Sequence, residues 1–295
     1  MPATPGRLCL VTTNFNYGDY LDDCMRSIIH SRGFDRVDYV VMDGGSTDNS
    51  VEIIKKHAPK LKHWQSARDE GMYHAIEAGF ALSDAPYMGW LNSDDQLTPW
   101  TIQTVLDVFD QLPEVQWITS RLPLQARKDG LVIKSDFLPG VDNWGFFNGE
   151  HIKSSGLPTS GWIVQDCTFW RRELWDRVGG DFDHKLKLAC DFELWACFIQ
   201  KTDLYVVNVP FGIYRFHGAN KAVAHRDAYR DECVKVLQRY TPIVPEDIDR
   251  LGKRVIAKHL KAIGLGHVVD QSWGPPLKTV VFDHGSGRYH AVDVA

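Results

Sequence analysis

Short apolar runs alternate with helically spaced apolar residues through the first hundred positions, the pattern of an α/β layered sheet. Residues 8–13 predict a first strand, and Leu21, Cys24, Met25, Ile28 and Ile29 then recur at helical spacing. Residues 39–42 predict a second strand. It runs into the turn Asp43-Gly44-Gly45-Ser46-Thr47-Asp48 and a helix over 50–57, with Thr47 as N-cap. A third strand follows over 61–65, then a helix marked by Met72, Ile76, Gly79 and Phe80. A fourth strand over 87–91 ends at Asn92-Ser93-Asp94-Asp95. Pro99 reads as just inside the next helix, whose apolar face is Ile102, Val105, Leu106 and Phe109, and a fifth strand covers 115–119.

Beyond that the pattern loosens. Residues 139–161 are rich in Gly, Pro, Asn and Ser and read as a long loop, a candidate lid. Order returns over 162–170, in helices over 172–178 and 190–200, and in a strand over 204–209. From 222 the chain reads as helical, over 222–240 and again over 245–263.

Composition narrows the class. The 295 residues are 44% hydrophobic and 24% charged, enough for a substantial core without staples. A net charge of -5 offers no basic face for nucleic acid, and no such partner is expected. The six cysteines show no C-x-x-C spacing, so they read as reduced thiols of a cytoplasmic protein. No signal-peptide pattern opens the chain, and no apolar run approaches the ~18 residues that cross a bilayer. The expectation is a soluble protein, or one resting on the inner face of the cytoplasmic membrane.

Ligands of open α/β sheets gather beyond the carboxyl ends of the strands. Three polar clusters fall there: Thr13-Asn14-Phe15-Asn16, the turn at Asp43, and Asn92-Ser93-Asp94-Asp95. The first lacks both the G-x-G-x-x-G of dinucleotide folds and the G-x-x-x-x-G-K-[ST] of P-loops. Two adjacent acids at a buried strand end repel each other and lose hydration, so Asp94-Asp95 calls for a cation. A hard divalent ion bridging a carboxylate to ligand phosphates satisfies that need. The plainer alternative is a turn whose Asp caps the following helix.

These clusters, together with Asp69-Glu70-Gly71-Met72-Tyr73-His74-Ala75, resemble the family 2 glycosyltransferases in order and spacing over about 8–221. The likeness is greatest to bacterial enzymes that build cell-surface polysaccharides. It implies the GT-A fold: a mostly parallel central sheet flanked by helices. A nucleotide-sugar half would span about 1–98 and an acceptor half about 99–221, with a helical extension over 222–295. It also implies a nucleotide-diphosphate sugar donor, UDP by default, and Mn2+ or Mg2+ as cofactor. On this resemblance Thr13, Asn14, Asn16, Asp43, Arg68 and Asp94 bind the donor, and Asp95 binds the metal. His217, in Tyr214-Arg215-Phe216-His217, is either a second metal ligand or a packed histidine, while Arg215 and Lys221 neutralise phosphate. Asp43 has its own alternative as a turn former.

An inverting transfer needs one carboxylate to take the acceptor hydroxyl's proton. Asp191 heads an apolar helix in Ala189-Cys190-Asp191-Phe192-Glu193, a setting that desolvates it while the helix N-terminus favours its charge. Its alternative is a helix cap. Glu193 points elsewhere and is placed with the acceptor, as are Gln165, Trp162 and Trp170. The Q-x-x-R-W motif of processive members is absent, so one sugar is expected per transfer, to a glycan or lipid-linked acceptor. Ile248, Leu251, Val255, Ile256, Leu260 and Ile263 form a stripe beside Lys253, Arg254, Lys258 and Lys261. That stripe suits an anionic membrane, the catalytic domain, or another subunit of a homo-oligomer. A nucleotide-sugar-binding protein without catalysis is the alternative function.

Overall fold

The computed structural model describes residues 5–152, 162–218, 220, 224–240 and 277–294. Thirteen strands appear among them: β1 Leu8–Asn14, β2 Val37–Asp43, β3 His63–Ser66, β4 Tyr87–Asn92, β5 Gln96–Leu97, β6 Trp117–Ser120, β7 Leu124–Arg127, β8 Val132–Ser135, β9 Thr168–Arg171, β10 Tyr205–Val207, β11 Gly212–Phe216, β12 Leu277–Asp283 and β13 Arg288–Val294. Their α-helices are α1 Gly18–Ile29, α2 Ser50–His57, α3 Met72–Phe80, α4 Thr101–Gln111, α5 Asn143–Phe147, α6 Arg172–Arg177, α7 Cys190–Ile199 and α8 Arg226–Leu237.

The main sheet runs β13-β12-β10-β6-β9-β4-β1-β2-β3. Strands β3, β2, β1 and β4 are parallel, as are β6, β10 and β12, while β9 lies antiparallel between β4 and β6. The central strands are buried on both faces, as parallel strands covered by helices must be. Alternation assigns each face its own core. Cys9, Val11, Val40, Met42, Met88 and Trp90 enter one cluster; Leu8, Leu10, Tyr39, Val41 and Leu91 enter the other. A smaller sheet, β5-β11-β7-β8, stands over the carboxyl end of β4. All six cysteines are free. No helix among the described residues is long and apolar enough to cross a membrane.

Four expectations change. Asn49, not Thr47, precedes the first turn of α2; the Thr47 N–H donates instead to Asn16 Oδ1 at 2.8 Å. Pro99 lies before α4, in the turn that closes on Phe211. The loop expected over 139–161 contains α5, capped by Asp142 and anchored by buried Phe146 and Phe147. The C-terminal extension is helical at α8, but 277–294 form an antiparallel hairpin that extends the main sheet through β10. Thr279 and Val280 are buried there, a β-branched pair suited to a pleated surface. The apolar stripe from Ile248 to Ile263 lies outside the described residues.

Candidate functional site

The strand ends open into a cavity of about 980 Å³. Thr13, Asn14, Asp94, Asp95, Trp162, Gln165 and Asp191 of the expected residues line it. Asp43 sits behind Asn14, and Asn16 is exposed beside the turn, outside the lining. Asp43 is 2% exposed, and both its oxygens are engaged. Oδ1 accepts Asn14 Nδ2 at 2.7 Å and Ser46 Oγ at 2.5 Å; Oδ2 accepts Ser66 Oγ at 2.6 Å and the N–H groups of Ser46 and Gly45. Burial raises the Asp43 pKa, but these bonds outweigh it and hold the carboxyl below its ordinary range. Gly45 makes the turn possible by taking φ +82°, a conformation side chains disfavour. The ends of β1 and β2 are thus stitched together, with Asn14 opposite Asp43 in register. Asn14 Oδ1, by contrast, is buried with no hydrogen-bond partner among the described residues.

The floor beneath β4 is built differently. Asp95 is 3% exposed, and its Oδ1 accepts one backbone N–H, from Arg215 at 2.9 Å. Burial, then the charges of Asp94 and Asp166, push its pKa well above the carboxylate range. The antiparallel pairing of β5 with β11 brings this together, because it aims the strand that carries Arg215 back at Asp95. His217, just beyond β11, is buried; its Nε2 lies 3.1 Å from Asp94 Oδ2 and its ring stacks on Tyr20 at 4.6 Å. Its contact is therefore with Asp94 rather than Asp95.

Asp166 is the third carboxylate, and it belongs to none of the three strand-end clusters. It sits on a short turn, Gln165–Cys167, whose Gln165 Nε2 donates to Trp90 O at 2.7 Å. Gly212 allows its approach: a Cβ there would lie 2.4 Å from Asp166 Oδ2. The segment Gln165-Asp166-Cys167 is plain in the sequence, but only folding brings it under Asp95.

Asp191 lines the same cavity from the start of α7. Loss of water pushes its pKa up to about 6, against the Phe192 N–H and the Tyr229 hydroxyl, which favour the charged form. The segment leading to it is held by Glu232, whose carboxylate accepts the N–H groups of Lys187, Leu188 and Ala189. Tyr229 and Glu232 come from α8, nearly forty residues downstream, so no local pattern announces them.

Several expected residues lie elsewhere. Trp170, read as an acceptor platform, is fully buried among Phe80, Trp90, Trp175, Trp195 and Phe198. Its place on β9 turns it into the core, where a large aromatic side chain contributes most. Glu193 turns away from the cavity and accepts the Cys197 thiol at 3.3 Å, one helical turn along. Arg215 is 1% exposed and lies outside the cavity lining, its guanidinium over the Tyr20 ring and 3.4 Å from Asp23. Arg68 is exposed on the segment after β3 and is not part of the cavity lining, although the next residue, Asp69, is; Lys221 lies outside the described residues.

The cavity therefore holds both an acidic floor and a separate desolvated carboxylate at the start of α7. Comparison with known proteins agrees with this architecture. A glycosyltransferase of Nostoc sp., described as uncharacterized, is 26% identical over 248 residues, covering 78% of this chain and 70% of that one. Chondroitin synthase of Escherichia coli is 23% identical over 243 residues, 81% of this chain but 32% of that enzyme's length. Among solved structures, S. aureus TarS 1-349 in complex with UDP-GlcNAc superposes with a TM-score of 0.60 at 13% identity, covering 90% and 77% of the two chains. The mannosyltransferase PcManGT from Pyrobaculum calidifontis, in complex with GDP-Man and Mn2+, gives 0.56 at 15% identity, covering 90% and 73%. The fold is that of the GT-A glycosyltransferases. The profile described as glycosyl transferase family 2 matches residues 9–177, more than half of the sequence, and the chain belongs to that family.

Proposed function

We propose that this chain moves one sugar, with inversion, from a nucleotide-diphosphate sugar to a hydroxyl of a glycan or lipid-linked acceptor of the cell surface. The observation that carries the reading is that one cavity is lined by two separate sets of acids: Asp94, Asp95 and Asp166 crowd together, and Asp191, raised to about 6, stands apart from them on α7. The complexes of TarS with UDP-GlcNAc and of PcManGT with GDP-Man support a nucleotide-sugar donor.

The donor half binds by groups already in position. Asn14 Oδ1, buried without a partner among the described residues, offers an acceptor for a nucleobase N–H. Asp43 holds Asn14 in that pose instead of meeting the base itself, because a base reaching Asp43 would displace one of its five bonds. The residues of the floor fit a hard divalent cation: a buried carboxylate with one N–H donor and two acidic neighbours lacks positive charge. Asp95 would hold the ion, with Asp94 and Asp166 beside it and His217 fixing Asp94. When bound, Mn2+ or Mg2+ neutralises charge on the diphosphate leaving group.

Asp191 acts as general base. It takes the proton of the acceptor hydroxyl while that oxygen attacks the anomeric carbon and the bond to the diphosphate breaks. Tyr229 and Glu232 position it, and Trp162 and Gln165 line the acceptor side of the cavity.

The test is turnover of UDP- and GDP-sugars with Mn2+ and after EDTA. EDTA and Asp95→Asn are expected to remove both activity and metal-dependent donor binding. Asp191→Asn is expected to keep donor binding and lose transfer. Undiminished turnover in EDTA would remove the metal from the reading, and near-normal turnover in Asp191→Asn would remove the base.

A further inference from the structure

A second set of ligand atoms lies on the cavity rim, apart from the acidic floor. His74 and Glu77 stand three residues apart on α3, where side chains neighbour each other. His184 comes from the segment between α6 and α7. Among the described residues, these three form the one group of His, Cys, Asp or Glu side chains whose ligand atoms all lie within 4.8 Å of one another. His184 Nε2 is 2.9 Å from Glu77 Oε2, and the two imidazoles lie face to face, centres 3.6 Å apart and planes within 4°. The other oxygen of Glu77 accepts the Phe182 N–H, which orients the carboxylate as outer partners orient metal ligands. His74, His184 and Glu77 are 37%, 34% and 22% exposed, so water reaches a fourth position.

We propose that His74, Glu77 and His184 form a second metal site, suited to a borderline transition ion such as Zn2+. Two imidazole nitrogens and one carboxylate oxygen are a donor set that zinc accepts, with water completing a tetrahedron. The all-oxygen floor at Asp94, Asp95 and Asp166 suits the harder Mg2+ or Mn2+. Zinc bonds of about 2.0–2.1 Å place neighbouring ligand atoms roughly 3.3 Å apart in a tetrahedron. The ligand atoms, within 4.8 Å of one another, would close to that spacing on binding, and His184 and Glu77 are already in contact at 2.9 Å.

The ion ties α3 to the chain segment that leads into Asp191. Other ties hold that segment as well: the Tyr73 hydroxyl donates to Leu188 O at 2.9 Å, Arg239 pairs with Asp183 at 2.6 Å, and Glu232 accepts three of its N–H groups. His74 and His184 both line the cavity, so the ion stiffens the wall that carries Asp191. The site stands on its own ligands and does not depend on the donor reading.

The full chain, stripped with EDTA, is titrated with zinc chloride by calorimetry, together with His74→Ala, His184→Gln and Asp95→Asn. Far-UV circular dichroism in EDTA first confirms that each variant is folded, and His184→Gln keeps a hydrogen-bond donor for Glu77. The wild type is expected to bind about one zinc at the rim, with three protein ligands. Asp95→Asn should leave that binding unchanged. Each histidine variant should weaken it by at least ~10-fold, since even outer-shell partners are worth ~10–100-fold in metal affinity. A zinc taken up by the floor disappears with Asp95→Asn and leaves the histidine-dependent ion in place. Zinc that does not bind the stripped wild type, or that binds both histidine variants as tightly as the wild type, overturns the proposal.

Discussion

Asp43 and Asp95 are the same residue type, at or beyond the ends of the two parallel strands that flank β1, 2% and 3% exposed, yet their carboxyls shift in opposite directions. Five donors from the chain surround Asp43, and one backbone N–H reaches Asp95. Burial is common to both, so burial does not mark the functional group. The count of compensating donors does: a carboxylate the chain has satisfied is part of the frame, and one left short of donors is set for an outside cation. Asp191 stands between them, with the Phe192 N–H and the Tyr229 hydroxyl against a largely desolvated setting.

The comparison can be broken in order of expected effect. Asp191→Asn should cut kcat by ~10²–10⁴, the usual worth of a general base, with donor affinity kept. Activity of the wild type should rise with pH through about 6 as Asp191 ionises. The same substitution should raise stability at pH 8 by about 1–2 kcal/mol. Each tenfold change in proton affinity carries ~1.36 kcal/mol, and the total is discounted because water reaches the cavity wall. The sign follows from a folded pKa above the ordinary value of 3.8: the favourable contribution is complete below 3.8 and gone above about 6. Denaturant melts of wild type and variant at pH 5 and pH 8 read this directly.

Asp43→Ala should cost about 3 kcal/mol or more in urea unfolding, since several buried donors lose their acceptor at ~1–3 kcal/mol each. With its pKa lowered, Asp43 stabilises above 3.8 and loses that contribution as pH falls through its folded value, so the variant should be less acid-sensitive. Asp95→Asn, measured in EDTA, should go the other way and stabilise the chain at neutral pH, because it removes a buried group whose charged form is disfavoured. Equal losses for the Asp43 and Asp95 variants would end the distinction between frame and floor. An effect of similar size is expected at Gly212→Ala. A Cβ against Asp166 Oδ2 and Cys167 Sγ should cost ~1–3 kcal/mol as overpacking, and it should weaken Mn2+ affinity by moving Asp166.

Much of the fold is legible in the chain, and the departures are instructive. The strands at 8–13 and 87–91 and the helix over 50–57 follow from side-chain period, because a layered sheet imposes its burial pattern locally. Asp95 and Asp191 are legible because acids beside apolar runs are conspicuous. Trp170 and Glu193 are not, because sequence neighbours do not tell which way a side chain faces. The β12–β13 hairpin escapes the pattern because its strands are half exposed and it joins the sheet through β12 pairing with β10, seventy residues earlier.

The sequence by itself determined the alternation of strands and helices, the polar clusters at strand ends and the apolar setting of Asp191, since each depends on residues within a turn or two of one another. Only the tertiary structure decided which carboxylates are satisfied and which are not. Asp43 gathers donors from three strand ends, Asp166 comes beneath Asp95 through a turn some seventy residues away, and Glu232 and Tyr229 reach Asp191 from α8. Electrostatic compensation depends on distance in space, and chain order does not encode that distance.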